Sequence, residues 1–345
     1  MLQFDIVLQK QNLGAHQQVH PAMYMPSHGE FLVELLARHG LKPGLSFGLD
    51  DFAPCAGVLN QSEAEILIVC GADQHFSQAF YQGWQQVQRA YAYRVLILSE
   101  PVFSPLAFYL DPQHNAEANH IRFLEAFAPD CVLYLSRYDL LASERRFGPA
   151  FARGLYSLAD PLLLQEPVRA WEAKEHTLLY LGKPDAWVHS RAQASAMTRQ
   201  QQFDFFVGQT RMPFAWSFRQ FSFRQCYGVA NQFRFQLQPR SGYAFHSART
   251  IQSALVGSIP VLLLHHDELP ILAEEAPFAR PDHNLLVGLE GEFDILLDKL
   301  RDQDLCRQIH RHLPELLEGG TISQGVQFLA EKLKTVGGGS PYPAA

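Results

Sequence analysis

Short, continuous apolar runs separated by longer amphipathic stretches are the feature that most restricts how this chain can fold. FDIVLQ (4–9), EILIVCGA (65–72), RVLILSEP (94–101) and CVLYLS (131–136) each hold a compact aliphatic block. Between them, GEFLVELLARHG (29–40), FSQAFYQGWQQVQRAYA (76–92) and AEANHIRFLEAFA (116–128) place apolar residues three and four apart, the mark of an amphipathic helix. An apolar run without alternation is a strand buried on both faces, which happens where crossover helices cover both sides of a parallel sheet. The first half therefore predicts a doubly wound α/β domain.

The alternation lapses in DPLLLQEPVRAWEAKEH (160–176), where two prolines and a charged run predict a connection between domains. It then resumes. TLLYLGK (177–183) predicts a strand, SRAQASAMTRQQQ (190–202) a helix followed by FDFFVG (203–208), and FRFQLQP (233–239) a further strand. The aromatic, arginine-rich stretch 210–232 has no clear period, and 292–315 and 321–334 predict a helical tail. The halves share this pattern without an internal sequence repeat. The expected architecture is α/β, with two Rossmann-like doubly wound domains facing a central cleft: 1–165 and 176–335, then a flexible tail over 336–345.

Charge and cysteine usage narrow the function classes. A formal net charge of -7 lacks the basic excess of a protein that neutralises phosphates, so no nucleic-acid partner is expected. The five cysteines are scattered, with no C-x-x-C pair, which fits a reducing compartment and argues against a thiolate zinc site. No run approaches the roughly 20 apolar residues of a spanning helix, and the N-terminus does not read as a signal peptide. A cytoplasmic protein is expected, with peripheral membrane contact left open. There is no P-loop and no G-x-G-x-x-G after a strand, so kinase and dinucleotide-oxidoreductase chemistry lack their main support.

The most specific stretch is NQFRFQLQPRSGYAFHSARTIQSALVGSIPVLLLHHDELP (231–270). A strand ends at Pro239, and a loop with Arg240, Ser241 and Gly242 leads to Ser247, suited to cap a helix. The start of a helix carries free N–H groups and partial positive charge, and Arg240 and Arg249 flank it, so a diphosphate is the natural guest. Gly257 is placed to end the helix and Pro260 to begin the next strand. Gln252 shares a face with Arg249 and Val256.

This block resembles the donor-binding motif of GT-B glycosyltransferases, most nearly the exostosin-like enzymes. Phe235, Leu237, Pro239, Arg240, Ser247, Arg249, Gly257, Pro260 and Val261 stand at matching spacing, and DELP (267–270) is similar too. PDCVLYLSRYDLL and LLYLGK, within 130–182, look like the domain crossover of bacterial GT-B enzymes. The resemblance implies a glycosyltransferase that takes a sugar from a nucleoside diphosphate sugar, with no other cofactor and no bound metal. It implies donor contacts from Arg240, Ser247, Arg249 and Gln252 and from the glycine that ends the strand, Gly182. Lys183 beside it and Arg191 at the next helix start are further donor candidates, with a plain turn the alternative at Gly182 and Lys183. Two positions depart from the family pattern: Gln252 stands for an acidic residue that accepts from the nucleotide ribose, and Ser258 stands for a cysteine. An amide can accept from one hydroxyl of a diol and donate to the other, and Gln252→Glu is expected to be tolerated.

The first half is expected to supply the acceptor side and any general base. Glu100, Asp73 and His16, in that order, follow strands where doubly wound sheets place their chemistry, with His20 and His75 nearby. For any one of these, a satisfied loop residue is the commoner outcome. His16 and His20 have metal-ligand spacing only on a helix, which Gly14 and Pro21 oppose. His265, His266, Asp267 and Glu268 are better read as a solvated loop than as a metal site. The acceptor, whether glycan, lipid-linked or protein, is open. A non-catalytic GT-B-like binding or scaffolding protein is the alternative, favoured by Gln252.

Overall fold

The computed structural model describes residues 2–8, 27–48, 52, 56–71, 78–98, 103, 116–134, 137–148, 152–155, 159, 161, 164–182, 197–218, 223–238, 248–319 and 322–337. Within them two separate sheets form, every neighbouring pair of strands parallel. The first contains β1 (Gln3–Leu8), β2 (Lys42–Gly48), β3 (Ile66–Gly71), β4 (Tyr93–Leu98), β5 (Cys131–Tyr134) and β6 (Ala152–Leu155), in the order β2-β1-β3-β4-β5-β6. The second contains β7 (Glu175–Leu181), β8 (Phe214–Ser217), β9 (Phe233–Gln238), β10 (Ile259–Leu264) and β11 (Leu286–Leu289), in the order β11-β10-β9-β7-β8. Counted from its own first strand, the second order repeats that of the first five strands of the first sheet. One topology is used twice, although the sequence carries no visible repeat. Each sheet reverses its strand order beside its first strand, between β1 and β3 and between β7 and β9. At such switch points the crossovers part to opposite faces and leave a crevice beyond the strand C-termini.

The helices are α1 (Ser27–Arg38), α2 (Gln78–Trp84), α3 (Ala116–Phe127), α4 (Arg137–Phe147), α5 (Arg199–Gly208), α6 (Phe223–Ala230), α7 (Ala248–Leu255), α8 (Leu269–Glu275), α9 (Phe293–Arg301), α10 (Gln303–His312) and α11 (Ile322–Gly337). Side chains alternate along each strand, so one continuous apolar run feeds two cores. From β3, Leu67 and Val69 meet Phe80 of α2 and Phe123 and Phe127 of α3, while Ile66 and Ile68 meet Leu32 and Leu36 of α1 and Leu329 of α11. From β7, Leu178 and Tyr180 join a core with Phe206, Leu297 and Ile309, and Leu179 and Leu181 join the cluster that holds Phe4 and Ile6. That middle cluster is shared by both sheets. Full burial of one such side chain contributes about 1.5–3 kcal/mol, which is why apolar blocks this short suffice to fix the strands.

The segment 164–174, expected as a connection, is tied to the second sheet's side through Asn231. Its Oδ1 accepts from Arg169 N at 2.9 Å, its Nδ2 donates to Pro167 O at 3.0 Å, and Lys174 Nζ donates to its backbone oxygen at 2.6 Å. The tail departs from the expected division: α11 packs against α1 and β6 of the first unit, whereas the sequence reading grouped it with the second.

Several elements escape the sequence pattern. β2 is KPGLSFG, whose Pro43 and Gly44 oppose a strand, yet it is an edge strand, where proline is tolerated. Buried Asp5 holds it there: Oδ1 accepts from Leu45 N at 2.8 Å and Oδ2 from Tyr91 Oη at 2.8 Å. A Cβ on Gly44 would stand 2.5 Å from that Oδ1, so only glycine fits. The strands β6, β8 and β11 are four residues each, too short to show a period. The helix expected over 76–92 stops at Trp84, because Asn60 Oδ1 takes the N–H groups of Gln88 and Arg89 and draws the chain away. FDFFVG completes α5, whose capping box is Thr198 with Gln201.

Candidate donor site at the second switch point

β7 ends at Leu181, and Gly182 follows with φ +127°, a conformation that side chains resist. Its N–H donates to Ser217 O at 3.0 Å, so the chain turns only after the last bond to β8. A Cβ at Gly182 would meet Arg249 Nη2 at 3.3 Å and Tyr180 Oη at 3.7 Å. The absent side chain thus makes room for a guanidinium carried by a helix almost seventy positions later. This is the second switch point, where β7 and β9 lie side by side.

The seating of α7 explains why Arg249 faces that way. Gln236 and Gln238 of β9 are buried on the helix side. Thr250 Oγ1 donates to Gln238 Oε1 at 2.9 Å, and Ser253 Oγ donates to Gln236 Oε1 at 2.5 Å. These two bonds, one turn apart, pin the helix and leave Arg249 exposed. Burial raises the Cys226 thiol of α6 while the Arg249 charge opposes that shift, which sets the guanidinium near Cys226 as well. Among the described residues no carboxylate pairs with Arg249. A cation at a helix start, facing a glycine and with no carboxylate partner among the described residues, is suited to an anion.

Gln252 is only 4% exposed, and its Nε2 has no hydrogen-bond partner among the described residues. A buried amide donor left open costs about 1–3 kcal/mol, so a ligand acceptor at this position would be stabilising. Gly257 ends α7 with φ +67°, as a helix C-terminus favours. Ser258 is fully buried, and its Oγ bridges the start of β10 to Phe233 O at 2.7 Å, giving the residue a structural task.

Of the residues expected at the donor, the structure brings Gly182 and Arg249 together and buries Gln252 on the same helix. Lys183, Arg191, Arg240 and Ser247 lie outside the described residues. So do Glu100, Asp73, His16, His20 and His75, although β1, β3 and β4, which lead into them, end at Leu8, Gly71 and Leu98 on the C-terminal edge of the first sheet. His265 and Glu268 form a reciprocal cap: Glu268 Oε2 accepts from His265 N at 2.6 Å and His265 Nδ1 from Asp267 N at 3.3 Å. DELP therefore spans the 3-10 turn His266–Glu268, in which Glu268 is buried rather than solvated, and the start of α8, with Pro270 in its first turn.

Sequence reasoning missed a buried polar set at the C-terminal edge of the first sheet. Asp139, in the first turn of α4, accepts from Phe103 N at 2.6 Å. Tyr134, the last residue of β5, donates to Ser143 Oγ at 2.8 Å and lies 3.0 Å from His120 Nε2. With the tyrosine proton committed to Ser143, His120 donates through Nε2, and its Nδ1 is without a partner among the described residues. Burial pushes His120 down to about 3, so the ring is neutral near pH 7. Each of these residues reads in sequence as an ordinary helix or strand position, and only the packing joins them.

No known protein family and no curated protein matches the sequence. Solved structures do match in shape. An α-glucosyltransferase in complex with UDP and a 13-mer DNA superposes with a TM-score of 0.56 at 8% identity, covering 97% of this chain and 99% of that one. HepE from Anabaena, in complex with UDP and glucose, gives 0.58 at 11% identity, over 97% and 100%. The trehalose-6-phosphate synthase OtsA gives 0.54 at 11% identity, over 98% and 100%. The fold is GT-B. The two sheets of this GT-B chain face each other as Rossmann-like units, as the alternation and the 231–270 block imply.

One expectation falls with this result. Net charge was read as excluding a nucleic-acid partner, yet the α-glucosyltransferase of the same GT-B fold is seen bound to DNA. A net charge averages the whole surface, whereas phosphates meet a local set of groups, so -7 excludes nothing. Among the described residues no helix is long and apolar enough to cross a membrane.

Proposed function

We propose that the chain is a glycosyltransferase that binds a nucleoside diphosphate sugar at the C-terminal edge of its second sheet and transfers the sugar to an acceptor held against the first. The observation that carries this is the Arg249 guanidinium packed against Gly182 at the second switch point. UDP is the first nucleotide to test, because the similar α-glucosyltransferase and HepE structures hold it. In this reading Arg249 and Arg240, with the start of α7 and its cap Ser247, stabilise charge developing on the leaving diphosphate. Lys183, next in sequence to Gly182, and Arg191 add contacts to the donor, and Gln252 meets the ribose through its open amide. Arginines and backbone N–H groups then take the part that a metal plays elsewhere. The exostosin-like reading rests on the residues of 233–261 alone. The free thiols of Cys70, Cys131, Cys226 and Cys306 support a reducing, cytoplasmic setting.

The acceptor-side candidates remain Glu100, Asp73 and His16. One OtsA-type structure belongs to work on transfer with retention. The anomeric configuration of the product, read by NMR, therefore decides whether a base is needed. The direct test is calorimetry of the full chain with UDP, GDP and TDP, then donor hydrolysis and an acceptor screen that includes DNA. Tight UDP binding that Arg249→Ala weakens supports the donor site. Absence of any nucleoside diphosphate binding overturns it. Binding without hydrolysis or transfer to any acceptor favours the scaffolding alternative.

A further inference from the structure

A second site lies at the opposite edge of the second sheet, where strands begin. His283 sits in the turn that leads into β11, His312 closes α10, and Glu315 lies in the 3-10 turn Leu313–Gly319 that follows. The two imidazoles stack with centroids 4.1 Å apart and 31° between planes. His283 Nε2 is 2.9 Å from Glu315 Oε2, and His312 Nδ1 is 2.7 Å from Glu315 Oε1. Donor atoms of all three residues fall within 4.8 Å of one another. We propose that His283, His312 and Glu315 form a binding site for a divalent transition-metal cation, zinc above all.

Three features favour a cation over a mere hydrogen-bonded trio. The donor set is two imidazoles and one carboxylate, which suits zinc and its neighbours and does not suit magnesium or calcium, which prefer oxygen. The turn carrying His283 is fixed in advance. Buried Asn284 donates to Phe278 O at 2.7 Å and accepts from Arg280 N at 2.8 Å, while Lys299 Nζ holds Asp282 at 2.6 Å. Finally, Glu315 has an outer partner of the kind that orients a ligating carboxylate: Arg280 pairs with its Oε2, so Oε1, which meets His312 Nδ1 at 2.7 Å, is the oxygen that would turn toward a metal once that ring binds it. Coordination through His283 Nε2 and His312 Nδ1 needs each ring to carry its proton on the other nitrogen. That is a change of tautomer without net loss of a proton from a neutral ring. Three protein ligands leave coordination positions for water. The 3-10 turn that carries Glu315 packs against α7, and the ion's expected task is to tie the 278–284 turn to the end of α10.

The test uses the full chain freed of metal by a chelator. Titration with ZnCl2 by calorimetry should show one saturable zinc per chain, and a large excess of MgCl2 should not compete. CoCl2 should give visible absorption bands of a nitrogen-ligated, low-coordinate ion. His283→Gln and His312→Gln, which keep a hydrogen bond to Glu315, should each weaken zinc binding by at least about tenfold. His265→Gln should leave binding unchanged. Thermal melts without metal show whether each variant is folded. Absence of a saturable zinc, or of the cobalt bands in the wild type, overturns the proposal whatever the variants do. So does zinc affinity that survives both substitutions in folded protein.

Discussion

The space that Gly182 leaves by lacking a side chain is bordered by the guanidinium of Arg249, 3.3 Å from where a Cβ would stand. The two residues are brought together by the order of the second sheet. β7 and β9 are neighbours, and α7 follows β9 back over the edge where β7 ends. Replacing Arg249 by Ala should weaken UDP binding by about 1.5–3 kcal/mol, the range for a hydrogen bond to a charged group. The melting temperature of the free protein should barely move, since Arg249 is exposed. Unchanged affinity in calorimetry would remove the diphosphate from this position.

Gly182→Ala tests the same relationship from the other side. The backbone there is at φ +127°, which a non-glycine residue holds at a strain of about 1–3 kcal/mol. The new methyl would also press on Arg249. Both stability and UDP affinity should fall, and pairing the change with Arg249→Ala should relieve the part of the affinity loss due to contact. Strict additivity in the double-mutant cycle would show that the two residues do not interact.

Burial alters what Gln252→Glu should do. The sequence suggested tolerance, because the family that its 231–270 block resembles carries an acid there. At 4% exposure a carboxylate enters at a desolvation cost, and the free protein should lose on the order of 2 kcal/mol. If ribose hydroxyls reach this position, UDP should raise the melting temperature of the variant more than that of the wild type. An equal rise in both would place the ribose elsewhere.

His120 should give the first unit an acid-sensitive stability. Burial holds its folded value near 3 against an ordinary 6.5. Between those values the unfolded chain binds a proton that the folded chain refuses. Stability therefore rises with pH across the window and is lost as pH falls through 6.5 toward 3. From pH 7 to pH 5 the loss is about 2 kcal/mol. His120→Gln keeps a donor for Tyr134 and cannot titrate, so urea unfolding at pH 5, 6 and 7 should show a flatter profile. The same slope in both proteins would assign the acid limb to other groups.

Asn231→Ala should loosen the connecting segment. It removes the acceptor of Arg169 N and the donor to Pro167 O, and one of two acceptors of buried Lys174, whose amine burial already pushes down to about 8. A cost of about 1.5–3 kcal/mol is expected, read as a lower denaturation midpoint with an unchanged slope. A midpoint equal to the wild type would show that the segment is held by Trp171 and its neighbours instead.

What the sequence determined by itself was the layered plan. Runs such as ILIVCG and IPVLLL can be buried on both faces only in a helix-covered parallel sheet, because every second side chain points the other way. The helix start at Arg249, the glycine at its end and the glycine after β7 were legible for the same reason: each is a local backbone requirement written in one or two residues. Only the tertiary structure decided the rest. Edge strand β2 exists because Asp5, forty positions before Leu45, takes its amide. The polar inner face of α7 makes sense only against Gln236 and Gln238, and α11 returns to the first unit because its apolar stripe fits beside α1. His283 and Glu315 are 32 positions apart and meet through a turn locked by Asn284. Such pairings depend on which strands lie side by side, and strand order is set by the summed packing of the whole sheet rather than by any local pattern.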